Sequence, residues 1–227
     1  MTKLITAQEK FWTSSFGKNY IKRNYFTNKE LDDLYLKKFN LTRSALNKEF
    51  LGKLKINIIL EVGCNVGNQL ALLQSQGFKN LYGVEIFGLA VELAKKRTKN
   101  INIVQGSAFD LPFKDNCFDL VFTSGVFIHI NPKDTERAMR EIYRTSKKYI
   151  WGYEYYSPEQ RSIDYRNNKD RLWSADFAKI YTGLFPDLKL KKEKRLAFKE
   201  IGLKKGLGKA PSTTDLFATM FLLEKKK

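Results

Sequence analysis

Two acidic residues and a glycine-rich turn form the most informative chemical pattern in this sequence. Glu61 precedes Gly63 and Gly67, which are separated by three residues, and the segment directly follows an apolar run. Glycines at such positions supply a tight turn and let the backbone approach a ligand. Glu85 ends the next apolar run, where a carboxylate can accept hydrogen bonds from ribose hydroxyls. The pattern indicates a site for an adenosyl group, with a strand-to-helix turn that binds no ligand as the alternative.

The spacing of these glycines argues against a dinucleotide site. The dinucleotide fingerprint is G-x-G-x-x-G, whereas this chain has Gly63-x-x-x-Gly67 with Asn65 between them. A turn that binds a pyrophosphate needs its glycines where the backbone meets the phosphates. An oxidoreductase with a dinucleotide cofactor is therefore the weaker interpretation, although it stays open.

The periodicity from residue 56 onward places the glycine-rich turn and Glu85 at the ends of strands. Apolar runs alternate there with segments of helical spacing, which predicts βαβ units and a mostly parallel sheet. Strands are predicted at residues 56–60, 81–86, 101–104, 118–123 and 149–155, and helices at residues 69–76, 89–99 and 131–147.

The first 55 residues are predicted to be helical. The segment Thr27-Asn28-Lys29-Glu30 matches a capping box. It begins a helix predicted over residues 28–51, which could break near Asn40. The aromatic and basic segment before it predicts two short helices around Gly17.

The C-terminal part lacks the βαβ pattern. A helix is predicted over residues 170–182, followed by strands at residues 188–198 and 216–223. Only a loop separates these strands, and a parallel pair would need a longer crossover, so we expect an antiparallel pair. The loop is marked by Gly202, Gly206, Gly208 and Pro211.

Composition limits the class of protein. The chain has 227 residues with 43% hydrophobic and 29% charged residues, which is typical of one large globular domain and excludes disordered, collagen-like and disulfide-rich classes. No apolar run approaches the roughly 20 residues of a membrane-spanning helix. The N-terminus lacks the apolar region of a secretory signal. Cys64 and Cys117 match no metal-ligand spacing, so we expect a reduced, cytoplasmic protein without a metal.

The net charge of +17 raises the question of a polyanionic partner. Residues 189–209 hold nine basic residues against two glutamates. Most of the excess is lysine, however, whereas bidentate phosphate recognition favours arginine. The stretch also lacks the exposed aromatic residues of a platform for single strands. A solvated lysine-rich surface is the preferred interpretation, and nucleic-acid binding stays as the alternative.

Four motifs in order resemble the class I S-adenosylmethionine-dependent methyltransferases. They are E-x-G-x-x-x-G after the first strand, an acid ending the second, GSAFDLPF after the third and FDLVFTSGVFIHI over the fourth, within residues 56–155. The segments FWTSSFGKNYIKRN, YEYYSPEQRSIDYR and DRLWSADFA further resemble the methylases associated with pseudaminic acid biosynthesis. The resemblance implies a Rossmann-like, seven-stranded, mostly parallel sheet with one antiparallel strand and helices on both faces. Residues 1–55 would form a helical cap on a methyltransferase domain of residues 56–227.

The resemblance also implies which residues bind S-adenosylmethionine. The turn, the acids, both sides of the adenine ring and the N-terminal segment would contribute. These residues are Tyr20, Arg23, Glu61, Gly63, Cys64, Asn65, Gly67, Glu85, Ile86, Ser107, Ala108, Phe109 and Ser124. Two positions depart from the common pattern. Many relatives have an aspartate at Ser107, where it accepts a hydrogen bond from the adenine amino group, and Asn65 replaces a central glycine.

The methyl acceptor is expected beside the ends of the fourth and fifth strands. His129, the only histidine, could accept a proton as a neutral imidazole, or could be structural. Glu154 could act as a base or pair with an amine. Substrate contacts are expected from Tyr155, Tyr156, Tyr165, Arg166 and Arg171, of which the arginines suit a carboxylate or phosphate. The tyrosines could equally be core residues, and the arginines could pair with Asp164 or Asp170.

The sequence therefore predicts methyl transfer from S-adenosylmethionine to an amine or hydroxyl of a small molecule, such as an amino sugar or nucleotide-linked sugar. An RNA-binding protein or RNA methyltransferase is one alternative, although FTSGVF stands where many enzymes that methylate base amino groups have Asn/Asp-Pro-Pro-Tyr. A scaffold that binds the cofactor without catalysis is the other.

Overall fold

A computed structural model describes residues 5–199 and 217–226 of the chain. Helices in this part are α1 (Ala7–Trp12), α2 (Ser15–Arg23), α3 (Asn28–Phe39), α4 (Arg43–Leu51), α5 (Asn68–Ser75), α6 (Gly88–Arg97), α7 (Pro132–Thr145) and α8 (Phe177–Leu184). Strands are β1 (Ile58–Val62), β2 (Asn80–Glu85), β3 (Ile101–Gln105), β4 (Phe118–Ser124), β5 (Ser146–Tyr156), β6 (Arg161–Ser162), β7 (Trp173–Ser174), β8 (Leu188–Ala197) and β9 (Phe217–Lys225).

The main sheet has seven strands in the order β3-β2-β1-β4-β5-β9-β8. The first five strands in this order are mutually parallel, and β9 runs antiparallel to both β5 and β8. Strands buried on both faces need continuous apolar side chains, and Leu60, Leu120 and Ile150 in the central strands are at most 1% exposed. The prediction of a mostly parallel, seven-stranded sheet with one antiparallel strand is confirmed.

The N-terminal helices pack directly on this sheet. Leu31, Tyr35 and Phe39 of α3 belong to the same buried cluster as the central strands. The ring of Tyr35 lies 5.4 Å from that of Tyr153 in β5, measured between ring centres. Helix α3 therefore packs on the sheet beside β5, where its side chains can contribute to a site.

The predicted break in the long N-terminal helix is confirmed. Asn40 ends α3 in the left-handed conformation, with φ of 61°, and the Thr42 side chain caps the start of α4. The first two helices are separated at Ser14 rather than at Gly17, which lies inside α2. The reason is local, because the Ser14 hydroxyl accepts the backbone N–H of Phe16 and starts a new helix.

The helix predicted over residues 170–182 is wrong in its first half. Asp170 has a φ of 54°, which an L-residue in a helix does not adopt, and Trp173 pairs with Ser162 in a short hairpin of β6 and β7. Helix α8 begins only after Asp176, whose carboxylate accepts the backbone N–H of Lys179. The predicted strand start at Leu216 lies outside the described residues. The predicted loop at Gly202, Gly206, Gly208 and Pro211 lies there too.

None of the helices within residues 5–199 and 217–226 is long and apolar enough to cross a membrane.

Candidate active site

A cavity of about 500 Å³ lies at the carboxyl ends of β1, β2, β4 and β5, beneath helices α1 to α3. Ligands of open parallel sheets bind at this edge, because the loops after successive strands converge there. Most of the residues that the sequence predicted for the site line its wall. They are Tyr20, Arg23, Glu61, Gly63, Cys64, Asn65, Glu85, Ile86, Ser107, Ala108, Phe109, Ser124, His129, Tyr155, Tyr165 and Arg166.

The turn between β1 and α5 has three residues in the left-handed conformation. Gly63 and Gly67 have φ values of 74° and 75°, and Asn65 has 48°. A Cβ on Gly63 would lie 2.6 Å from a methyl group of Val126, so a side chain here would force Val126 to move in addition to the strain of the positive φ. Asparagine is one of the few other residues that adopt this conformation at low cost. Asn65 can therefore replace a glycine without changing the shape of the turn.

Glu85 joins the two loops that face the cavity. One carboxylate oxygen accepts the backbone N–H of Asn65 and the other accepts that of Phe87, each at 2.9 Å. Burial raises the pKa of Glu85, and these N–H groups oppose that rise. Each carboxylate oxygen keeps a second lone pair. The side chain is thus fixed in orientation and can still accept hydrogen bonds from two neighbouring hydroxyls.

Glu61 is a buried acid with an unused acceptor. The side chain is 2% exposed, and its Oε2 atom has no hydrogen-bond partner among the described residues. Burial raises the pKa of Glu61 well above its usual range, and the nearby Arg43 opposes this rise. An unsatisfied buried acceptor costs on the order of 1–3 kcal/mol. A ligand ammonium group in the cavity would remove that cost.

Arg43 lies beneath this part of the site and is fully buried. Its Nε donates to Asn47 and its Nη1 donates to the Tyr35 hydroxyl, both at 2.9 Å. The guanidinium lies 4.9 Å from the ring centre of Trp151 and 5.2 Å from that of Tyr153. It is a fixed positive charge near Glu61, and no pattern in the sequence predicted it.

Helix α1 also contributes an acid, Glu9, to the cavity wall, which was not predicted from the sequence. Ser107 donates its hydroxyl to Glu9 of α1 at 2.6 Å and accepts the backbone N–H of Phe109 at 3.1 Å. The one available signal was Thr6-Ala7-Gln8-Glu9, a capping box that the structure contains. Glu9 brings a carboxylate to the position where Ser107 departs from the common pattern.

His129 is held as a neutral imidazole with a defined tautomer. Its Nδ1 donates to the Arg171 carbonyl at 2.8 Å, which leaves Nε2 as the acceptor nitrogen. The ring lies between Trp12 and Tyr165, with ring-centre distances of 4.5 and 5.1 Å. Burial lowers the pKa of His129 to about 4. The side chain can therefore accept a proton, although only as a weak base.

Four residues predicted for the site do not line the cavity. Gly67 lies buried at the start of α5. Glu154 accepts the backbone N–H groups of Val126 and Ile128, and burial raises its pKa to about 7. The Arg195 guanidinium lies 4.0 Å from the ring centre of Tyr156. The Arg171 guanidinium lies 4.9 Å from the ring centre of Phe11. The predicted ligand contacts of these four residues therefore stay predictions, and we build no proposal on them.

The histidine, cysteine and acidic side chains of the described residues form neither a metal site nor a disulfide. Within residues 5–199 and 217–226, no group of three histidine, cysteine or acidic side chains could hold a metal ion. Cys64 is buried and Cys117 is exposed, and both are free thiols.

The central part of the chain is similar to known methyltransferases. Residues 60–149 match the family model described as "Methyltransferase domain". A demethylmenaquinone methyltransferase from Lactobacillus johnsonii is 32% identical over 117 residues, which cover 47% of this chain and 47% of that protein. The chain thus spans about half the length of this curated relative.

Two solved structures share the fold over nearly the whole chain. The PH0226 protein from Pyrococcus horikoshii matches with a TM-score of 0.59 and 16% identity, over 98% of this chain and 95% of that one. An S-adenosylmethionine-dependent methyltransferase from Leishmania major matches with a TM-score of 0.65 and 13% identity, over 95% and 81%. At these identities the likeness establishes the fold alone.

Proposed function

We propose that this chain, whose residues 60–149 match the methyltransferase-domain model, is a class I S-adenosylmethionine-dependent methyltransferase that transfers a methyl group to an amine or hydroxyl of a small molecule. The observation that carries the proposal is the unpartnered, buried Oε2 of Glu61, which lies in the wall of the same cavity as the fixed carboxylate of Glu85. An amino acid joined to a ribose requires an acceptor for an ammonium group and an acceptor for two hydroxyls. These two acids meet both requirements.

We assign the remaining cofactor contacts from the positions of the residues that line the cavity. Glu61 would bind the ammonium group and Glu85 the ribose hydroxyls, while the turn that starts at Gly63 approaches the methionine part. The side chains of Ile86, Ala108 and Phe109 would contact the adenine faces, and Ser107 with Glu9 would accept its amino group. Arg23 and Tyr20 of α2 would hold the methionine carboxylate. When bound, S-adenosylmethionine supplies an electrophilic methyl group.

The acceptor would lie between His129 and the tyrosines of β5. Methyl transfer requires donor and acceptor atoms about 3–3.5 Å apart and in line. His129 Nε2 can accept the proton that an amine or hydroxyl releases. Tyr155, Tyr165 and Arg166, which line the cavity, would contact the acceptor. An amino sugar or a nucleotide-linked sugar offers the required nucleophiles and polar groups, and is the acceptor we propose.

The cofactor assignment is tested by isothermal titration with S-adenosylhomocysteine. We expect binding by the wild-type chain and at least about tenfold weaker binding by Glu85→Ala, because two hydrogen bonds to a charged acceptor are lost. Glu92→Ala is the matched control, since Glu92 is an exposed acid on α6 that pairs with Lys95 at 3.5 Å. No heat with folded wild-type protein would reject the function, and equal affinities for Glu85→Ala and wild type would reject the ribose assignment.

Two alternatives have distinct signatures. An RNA-binding protein would use the net charge of +17, and its affinity for RNA should then fall steeply with salt concentration. A scaffold would bind S-adenosylhomocysteine but methylate no sugar, nucleotide-sugar or amino-acid acceptor detectable by mass spectrometry. A methylated product from that acceptor screen would decide for catalysis.

A further inference from the structure

The cavity extends well beyond the proposed cofactor contacts. It reaches from Glu85 at the end of β2 to Tyr153 and Tyr155 in β5. Three strand spacings separate β2 from β5, which amounts to roughly 14 Å across the sheet. Space at the β5 end is therefore available to a second molecule beside the adenosyl site.

Aromatic rings form most of the wall at the β5 end. Phe198, which follows β8, contacts Tyr155 with ring centres 5.3 Å apart and contacts Phe39 at 4.8 Å. Tyr35 of α3 lies 5.4 Å from Tyr153. Tyrosine hydroxyls can donate hydrogen bonds, and the ring faces can pack on a flat or apolar ligand.

A cation without a counter-ion completes this wall. Lys38 of α3 lines the cavity and is half-buried. Within the described residues its ammonium group has no hydrogen bond and no ion pair. Burial lowers the pKa of Lys38, and no acid opposes that effect. By contrast, Lys192 and Lys194 on β8 both pair with Glu49, at 3.0 and 2.8 Å.

A second cation of the cavity wall is also without a counter-ion among the described residues. Arg166 lines the cavity, and within the described residues its guanidinium pairs with no carboxylate, whereas the charge of Arg23 is assigned to the methionine carboxylate by the proposed function. Among the described residues, the acids of the cavity wall are Glu9, Glu61 and Glu85, all of which the proposed function uses for the cofactor. Desolvating a cation without a counter-ion is costly, so a ligand at the β5 end gains most if it carries negative charge.

We infer that the β5 end of the cavity binds a carboxylate or phosphate group of the methyl acceptor, with the Lys38 ammonium as its counter-ion and Tyr35, Tyr153 and Tyr155 as its aromatic wall. The inference rests on the proposed function and names the class of acceptor, an anionic molecule. It assigns Lys38 a binding role that the sequence did not indicate. The methionine carboxylate of the cofactor is the other source of the same chemistry, and the experiment separates the two.

The test uses pyridoxal 5′-phosphate, an aromatic aldehyde that carries a phosphate. The lysine nitrogen attacks the aldehyde carbon, water leaves, and hydride from added borohydride reduces the resulting imine to a stable amine. Mass spectrometry of peptides then gives the extent of labelling at each lysine. Lys37 is the matched control, because it is the neighbouring residue on the same helix but is exposed.

We expect Lys38 to be labelled at least about tenfold faster than Lys37, and pyridoxal without phosphate to lose this selectivity. Labelling of Lys38 should persist with saturating S-adenosylhomocysteine, which occupies the adenosyl end only. Equal labelling of both lysines, or equal selectivity of both aldehydes, would overturn the inference. Protection of Lys38 by S-adenosylhomocysteine would assign the lysine to the cofactor carboxylate instead. Failure of the proposed function would appear separately, as no heat in the titration with S-adenosylhomocysteine.

Discussion

The single histidine allows its environment to be measured directly. His129 is the only histidine of the chain, so no other imidazole titrates between about pH 5 and pH 7.5. Burial lowers its pKa from 6.5 to about 4. The unfolded chain therefore binds a proton at this side chain over a pH range in which the folded chain does not. Since the folded pKa is the lower one, His129 makes the protein less stable as the pH falls below 6.5.

The size of this effect follows from the two pKa values. At about pH 5 the unfolded imidazole is almost fully protonated and the folded one is mostly neutral, which favours unfolding by about 2 kcal/mol. At about pH 7.5 the same term is on the order of 0.1 kcal/mol. His129→Asn retains an N–H that can donate to the Arg171 carbonyl but cannot be protonated. When the pH is lowered from about 7.5 to about 5, the free energy of unfolding of the variant should therefore fall by about 2 kcal/mol less than that of wild type.

Urea denaturation of both proteins at the two pH values measures this difference. Burial raises the pKa values of Glu61, Glu85 and Glu154, which also makes stability depend on pH, but these acids are common to both proteins. Nuclear magnetic resonance of tag-free protein gives a second measurement, since one imidazole Cε1–H signal is expected and should not shift down to about pH 5. Equal losses of stability by the two proteins between these pH values would refute the buried, neutral state of His129. A titration midpoint of the His129 signal near pH 6.5 would refute it as well.

Three further changes test other parts of the structure. Glu61→Gln should weaken S-adenosylhomocysteine binding about tenfold but leave 5′-methylthioadenosine, which lacks the amino acid, unaffected, and an equal loss for both would contradict the ammonium assignment. Arg144→Met should lower the free energy of unfolding by about 2 kcal/mol because two backbone carbonyls lose their donor. Arg140→Met removes only an exposed pair and should cost less than about 0.5 kcal/mol, so equal losses would contradict the argument. Gly63→Ala should abolish measurable cofactor binding, because residue 63 has a positive φ and the added Cβ would lie 2.6 Å from a methyl group of Val126. Gly183→Ala is the control, because its added Cβ meets no atom within 4 Å, and this variant should bind the cofactor normally.

The parts of the fold that depend on local patterns could be predicted from the sequence. Continuous apolar runs separated by helical segments specify a parallel sheet, and the loops after those strands meet at one edge. Glu61 and Glu85 could be assigned to a common site for this reason, although they are 24 positions apart in the sequence. The break at Asn40 was also predicted, and its left-handed conformation explains it.

Contributions from packed helices could not be predicted in this way. Glu9, Lys38 and Arg43 lie on surfaces that the sequence shows only as charged positions of helices, and their direction depends on how the cap packs against the sheet. The wrong start of the helix predicted at residue 170 has a related cause. A local apolar pattern there contributes to the hairpin of β6 and β7, and the positive φ of Asp170 depends on that tertiary arrangement.

The division of the cavity explains why relatives identify the cofactor more readily than the acceptor. The adenosyl end is built mainly from the ends of β1 and β2, within the stretch that matches the methyltransferase family. The β5 end takes Lys38 from the cap and Phe198 from beyond β8, and both lie outside that stretch. A relative that shares only residues 60–149 therefore shares the positions of Glu61, Gly63 and Glu85, which we propose for the methyl donor, but not those of Lys38 and Phe198, which we propose for the acceptor. We expect that exchanging the cap helices with those of a methyltransferase, while retaining Glu9, Tyr20 and Arg23, changes the acceptor and leaves the affinity for S-adenosylhomocysteine within about threefold.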